Sequence, residues 1–237
     1  MTSGPSTDPS ASAETRSGGG LFLAFEGVEG SGKSTQARLL AEHLRGLGLK
    51  VVLAREPGST PLGERVREIF LDDTGLVMPP VSELFLMLAA RAAFVDQVVA
   101  PALKAGQVVI ADRFELSTLA YQGAGRGVGL EVIRGCNQVA TGGLTPQLTV
   151  LLELTPEEGV RRQALADKAP DRMESETRAF HERVSKGYQR FASSVEGLVS
   201  VDASGSITEI QTRIMTVLEP LLVRGFPETF NRTGVTR

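Results

Sequence analysis

The chain has 237 residues, 41% of them hydrophobic, and a formal net charge of −3; it is long enough to bury a full core and lacks the basic excess of a dedicated nucleic-acid binder. A single cysteine excludes an internal disulfide framework and fits a reducing compartment, and two histidines with that cysteine supply too few of the usual ligands for a zinc site. No apolar run approaches the length needed to cross a bilayer, and the N-terminus lacks the apolar stretch of a signal peptide.

Residues 1–20 are mostly Ser, Thr, Gly and Pro, and such a segment has too little to bury to offset its ordering entropy. It reads as a disordered leader, residues 225–237 as a loose tail, and residues 21–224 as one continuous domain. Leu21–Phe25 reads as a buried strand running into a glycine-rich loop. The following helix carries Ala37, Leu40, Leu44 and Leu47 on one face and ends at Gly46 and Gly48. Val51–Leu53 is a second strand. A helix runs from about Ser82 to Ala100, where Pro101 bends or stops it. Val108–Ile110 and Thr149–Leu152 are the third and fourth strands. Thr155-Pro156-Glu157-Glu158 has the order of a capping box and opens another helix. A long helix with Phe180, Val184, Tyr188 and Phe191 on one side leads to a fifth strand, Leu198–Val201. A second capping box, Ser206 to Glu209, opens the last helix. Strands separated by helices predict an α/β fold: three layers, a five-stranded parallel sheet with helices on both faces.

Gly27-Val28-Glu29-Gly30-Ser31-Gly32-Lys33-Ser34 matches G-x-x-x-x-G-K-[ST] between a strand and a helix. In that setting the glycines let successive N–H groups curl around a phosphate, and the helix N-terminus adds positive potential. Lys33 can reach the terminal phosphates and the Ser34 hydroxyl can ligate Mg²⁺. The loop specifies a nucleoside triphosphate site without choosing among kinase, switch, motor or transporter. The absence of Asn-Lys-x-Asp and of Leu-Ser-Gly-Gly counts against a GTPase switch and a transporter ATPase.

Strand ends in an open parallel sheet line the ligand crevice, so Asp112, ending the third strand, is expected near Mg²⁺ and Arg113 near phosphate. Arg55, ahead of Pro57-Gly58, either meets an acceptor phosphate or belongs to an ordinary turn. Arg91, among apolar neighbours, needs a partner: a structural ion pair or a ligand. Tyr121–Gly127 reads as a flexible polar loop. The charge-rich stretch around residues 161–173 is either a lid that brings cations to phosphates or a solvated helix junction. His43 and His181 read as structural or exposed and Cys136 as a small core residue. With no catalytic histidine, an acceptor that is itself a phosphate monoester suits the chain, because it needs charge neutralisation more than a base.

Phe25–Thr35, Arg55-Glu56-Pro57-Gly58, Asp112-Arg113-Phe114 and Ser117–Gly123 together resemble the bacterial thymidylate kinase family, in that family's order and spacing, over about residues 21–224. The resemblance implies transfer of the ATP γ-phosphoryl group to dTMP with Mg²⁺, by a cytoplasmic homodimer in which the apolar helix Leu84–Phe94 forms part of the interface. It implies ATP contacts from the loop Gly27–Thr35, with Lys33 and Ser34 on phosphates and metal and Asp112 at the metal. Arg113 would bridge donor and acceptor phosphates and Arg55 would hold the acceptor. Arg91 would hydrogen-bond thymine, with Thr118 and Gln122 nearby, Pro57 close to the thymine methyl and Tyr121 crowding the sugar 2′ position. Glu29 and Glu174 would sit near the 3′-hydroxyl or the metal. The loop carries Glu29 and Gly30 rather than arginine, which resembles the family's lid-dependent type, with Lys168 and Arg161 or Arg162 as the candidate cations. Met87 stands where the family often has a stacking aromatic, and Ser59 where it often has glycine. Another nucleoside monophosphate kinase, or a nucleotide-binding module without turnover, are the alternatives.

Overall fold

The computed structural model describes residues 20–71, 76–164, 172–173 and 175–233. In chain order the elements are β1 (Leu21–Glu26), α1 (Lys33–Gly46), β2 (Val51–Arg55), α2 (Pro61–Leu71), α3 (Pro80–Phe94), a π-type turn Val95–Val99, α4 (Ala100–Lys104), β3 (Val108–Asp112) and α5 (Glu115–Thr118). A second π-type turn Leu119–Gly125 is followed by α6 (Leu130–Thr141), β4 (Leu148–Glu153), α7 (Pro156–Ala164), α8 (Arg178–Ala192), β5 (Leu198–Asp202), α9 (Ile207–Gly225) and α10 (Pro227–Thr233). The five strands form one parallel sheet in the order β2-β3-β1-β4-β5.

Alternation along the strands feeds both faces. Leu21, Leu23 and Phe25 pack on one side with Leu40 and Leu44 of α1 and Ile210, Ile214 and Leu218 of α9. Phe22 and Ala24 point to the other, against Phe94, Val99 and Phe114. The Phe22 and Phe114 rings meet edge to face at 5.1 Å, a favourable arrangement of their quadrupoles. Register then sets the site: Phe25 and Arg55 both align with Asp112, so three strand ends open at one level.

Three segments differ from the sequence reading. The helix expected to stop at Pro101 continues: Pro80–Lys104 is a 25-residue helical stretch, because the wider turn at Val95–Val99 absorbs the proline's missing N–H. That stretch is long and apolar enough to cross a membrane by length and composition, contrary to expectation; in this fold its Leu84, Leu88 and Phe94 are core residues and it carries the enclosed Glu83 and Arg91. Leu119–Gly125 is a buried turn rather than a flexible loop. A Cβ on Gly125 would lie 2.7 Å from the Phe180 ring and one on Gly187 2.7 Å from Ala124 Cβ, so these glycines serve close packing of the turn on α8. Within the expected tail, α10 packs Phe230, 4% exposed, onto the α9 side of the core. The leader, residues 1–19, lies outside the described residues.

Candidate active site

The strand ends and the helices behind them enclose a cavity of about 1200 Å³. Its floor on one side is the phosphate loop. Glu29, Gly30 and Gly32 to Thr35 line it, whereas Gly27, Val28 and Ser31 form the turn beneath. The α1 N-cap Gly32 is left-handed and offers no side-chain cap, so the first-turn N–H groups remain open for an anion. Lys33 Nζ donates to the Val28 carbonyl at 2.8 Å and to Ser31 Oγ at 3.4 Å, which folds the side chain over the loop. Burial, reinforced by the charge of Arg113, lowers the lysine to about 8. The Ser34 hydroxyl donates to Asp112 Oδ2, joining loop and third strand.

Arg113 occupies the centre. Its backbone is left-handed, φ 78°, and its N–H donates to the Phe25 carbonyl at 2.9 Å. Nη1 donates to Tyr188 Oη at 2.9 Å and Ser117 Oγ at 3.1 Å, and Nη2 to Glu29 Oε1 and, at 3.4 Å, to Tyr121 Oη. The chain has two tyrosines, and both hydroxyls reach this guanidinium. Burial alone would raise the Glu29 carboxyl, but Arg113 and Lys33, with the Tyr121 hydroxyl, outweigh it and hold it at about 2. Beneath, the enclosed carboxylate of Glu26 accepts from Phe114 N at 2.8 Å, Ser117 N at 3.1 Å and Ser117 Oγ at 2.5 Å. It thereby fixes the strained turn that carries Arg113. Glu26, Ser117 and Tyr188 escaped the sequence reading as site residues; the first two lie inside the motif segments, while Tyr188 looks like any core aromatic.

Across the cavity, Arg55 Nη2 donates to Glu64 at 3.0 Å. Ser59 takes the left-handed conformation, φ 64°, and its hydroxyl accepts from Arg55 N at 2.9 Å. Pro57, Phe70, Met87, Tyr121 and Gln122 line this end.

Arg91 is not on the cavity wall. Fully enclosed, it donates to Glu56 Oε2 at 2.9 Å, Asn137 Oδ1 at 2.8 Å and the Phe114 carbonyl at 2.8 Å. Of the two readings of this residue, the geometry gives the ion pair, with Glu56. Thr118 is likewise enclosed and outside the lining. Cys136 is half-buried, and His43 is exposed on α1.

At the α7 side, Thr155 Oγ1 accepts from Glu158 N at 3.3 Å, the first half of the expected capping box. The Glu158 carboxylate instead engages Arg161 at 2.7 Å and Arg162 at 3.0 Å. All three line the cavity. Helix α7 meets the loop backbone to backbone: a Cβ on Gly30 would lie 2.4 Å from the Gly159 carbonyl oxygen. Lys168 and Glu174 lie outside the described residues.

A phosphate loop, a strand-end carboxylate touching its serine and an arginine held at the junction define a P-loop phosphotransferase. A family model for thymidylate kinase matches residues 25–214. The chain is 50% identical over 208 residues to a thymidylate kinase of Synechococcus sp. (strain JA-3-3Ab), covering 87% of this chain and 99% of that one. It is 41% identical over 204 residues to the thymidylate kinase of Caldanaerobacter subterraneus subsp. tengcongensis, covering 86% and 97%. The crystal structure of thymidylate kinase from Ehrlichia chaffeensis superposes with a TM-score of 0.68 at 29% identity, over 84% of this chain and 99% of that one. The chain belongs to the thymidylate kinase family.

Proposed function

We propose that this chain transfers the γ-phosphoryl group of ATP to dTMP, giving dTDP and ADP, a step toward dTTP. The observation that carries the reading is the position of Arg113, held between the phosphate loop and the Arg55–Gln122 end of a cavity large enough for two nucleotides.

A phosphate acceptor with a second pKa of about 6 is largely dianionic at neutral pH and needs no base. Its oxygen attacks the γ-phosphorus in line, and the β–γ bridging oxygen leaves on ADP. The barrier is electrostatic, and lowering it calls for cations fixed where charge spreads in the transition state. Lys33 and the loop amides hold the donor phosphates, Arg113 bridges donor and acceptor, and Arg55 holds the acceptor phosphate. Met87 covers the base face with its polarisable thioether, Pro57 lies by the thymine methyl, and Tyr121 crowds the sugar 2′ position. Glu29 meets the 3′-hydroxyl or the metal. The Ser34 hydroxyl and Asp112 carboxylate are hard oxygen donors, which fits Mg²⁺. When bound there, the ion neutralises β,γ-phosphate charge.

The enzyme acts in the cytoplasm as a homodimer. Its exposed apolar residues on neighbouring α3 and α6, among them Val81, Phe85 and Val139, supply the contact face. Leu84, Leu88 and Phe94, within the helix first expected there, belong to the chain's own core.

A coupled ADP-release assay with dTMP, dUMP, dCMP and AMP tests the reading. Turnover is expected to be greatest with dTMP; preference for AMP, or ATP binding without turnover on any acceptor, would overturn it.

A further inference from the structure

Gln122 lines the acceptor end of the cavity, and its Nε2 donates to Glu83 Oε1 at 2.9 Å. Glu83 sits in the first turn of α3 with no exposed surface. Arg126 Nε lies 3.1 Å from both of its oxygens and Arg126 Nη2 3.1 Å from Oε2; Arg172 Nη2 is 3.8 Å away. Arg126 Nη2 also meets Glu176 Oε1 at 2.6 Å. A carboxylate clasped by guanidinium groups accepts hydrogen bonds and donates none. A carboxamide beside it must therefore turn its NH₂ toward the acid and its oxygen away. That is the arrangement seen: Gln122 Oε1 is buried and has no hydrogen-bond partner among the described residues. A buried carbonyl oxygen left unpaired costs free energy, so the site favours a ligand that brings a donor.

We propose that Glu83 is a positioning residue for base selection: by fixing the Gln122 amide, it presents a lone acceptor to the acceptor nucleotide's base. Thymine and uracil carry an N–H at ring position 3 and satisfy that acceptor. Cytosine presents a ring lone pair there and leaves two acceptors facing each other. The inference rests on the reading of this cavity end as the dTMP site, and it adds a residue that touches no substrate. A site built to pair with a ligand N–H rejects analogues lacking it far more strongly than an apolar pocket does.

The test is a double-mutant cycle of Glu83→Gln and Gln122→Met, with kcat and KM for dTMP, dUMP and dCMP. Glutamine at 83 offers either a donor or an acceptor, so the Gln122 amide is released to turn. Glu83→Gln is expected to lower the dTMP-to-dCMP ratio of kcat/KM by about tenfold or more, through KM for dTMP, with KM for ATP unchanged and dUMP following dTMP. Gln122→Met lowers the same ratio, and adding Glu83→Gln to it changes the ratio no further. Additive effects, or an unchanged ratio in Glu83→Gln, would overturn the proposal and leave Glu83 as a strut between helices. If Glu83→Gln does not fold, hydrogen exchange of the Gln122 side-chain NH₂ in the wild-type protein decides, its signal identified by its loss in Gln122→Met. Slow exchange supports the lock and fast exchange refutes it. Failure of the wild-type enzyme to phosphorylate dTMP would instead refute the function on which the inference rests.

Discussion

The guanidinium of Arg113 and the carboxylate of Glu29 are in direct contact at the rim of the phosphate loop, where the chain's two tyrosine hydroxyls converge on the same arginine. The pair is only partly buried, with 16% and 29% of the two side chains exposed, so incoming phosphate oxygens can compete for the arginine's donors. Glu29 thus keeps Arg113 aimed across the site, and the Glu26–Ser117 bonds keep its backbone from relaxing.

Arg113→Ala is accordingly expected to lower kcat by about 10²–10³-fold or more, the scale for removing one preorganised donor from a transition state. The substituted position leaves the sheet and its cores untouched, so circular dichroism and cooperative melting are retained. Near-normal turnover in a folded protein would exclude the bridging role.

Lys33 gives a pH signature. Held at about 8 in the free protein by burial and Arg113, it loses its proton as pH rises through that value. Triphosphate oxygens favour the ammonium form, so ATP binding above about pH 8 is coupled to proton uptake, and affinity weakens by up to about tenfold per pH unit. Titration calorimetry in buffers of different ionisation enthalpy measures the uptake directly. Its absence at pH 8.5, or its persistence in Lys33→Met, would contradict the assignment.

The contact between Gly30 and Gly159 leaves no room for a side chain on the loop at this position, where φ is 73°. Gly30→Arg therefore does not create a second catalytic cation: melting temperature and ATP affinity are expected to fall, with kcat reduced rather than raised. Under the proposed mechanism the catalytic cation is therefore sought on the lid side. Lys168→Ala, chosen from the family resemblance, is expected to lower kcat more than it weakens dTMP binding; unchanged kcat rejects Lys168.

Arg91 and Glu56 form an enclosed ion pair at 2.8 Å. Arg91→Ala strands the Glu56 carboxylate, whose pKa burial already pushes up against the pull of Arg91. A loss of about 3–5 kcal/mol is expected by denaturant unfolding, typical of a buried pair broken on one side. Stability lost by less than about 1 kcal/mol, with a large rise in KM for dTMP, would restore Arg91 to the thymine site.

Much of this was legible in the chain. The phosphate loop is contiguous and its backbone logic is local, so Gly27 to Ser34 identified it; strand and helix periodicity likewise specified the parallel sheet. What the sequence hid depends on packing between distant segments. Gly125 signals flexibility when read alone and close approach once Phe180 is beside it. Pro101 signals a stop only if the turn before it cannot widen. Arg91 has two readings until Glu56, 35 positions away, is seen beside it. Glu83 carried no signal, since a lone acid in a helical first turn is ordinary N-terminal charge.

In the proposed reaction one arginine, Arg113, serves both nucleotides. A crystal structure with dTMP and a non-hydrolysable ATP analogue tests it most directly. The dTMP phosphate and the γ-phosphate are both expected within hydrogen-bonding distance of Arg113, and the triphosphate on Lys33 and the loop amides. Thymidylate remote from Arg113, or a triphosphate seated away from Lys33, would contradict it.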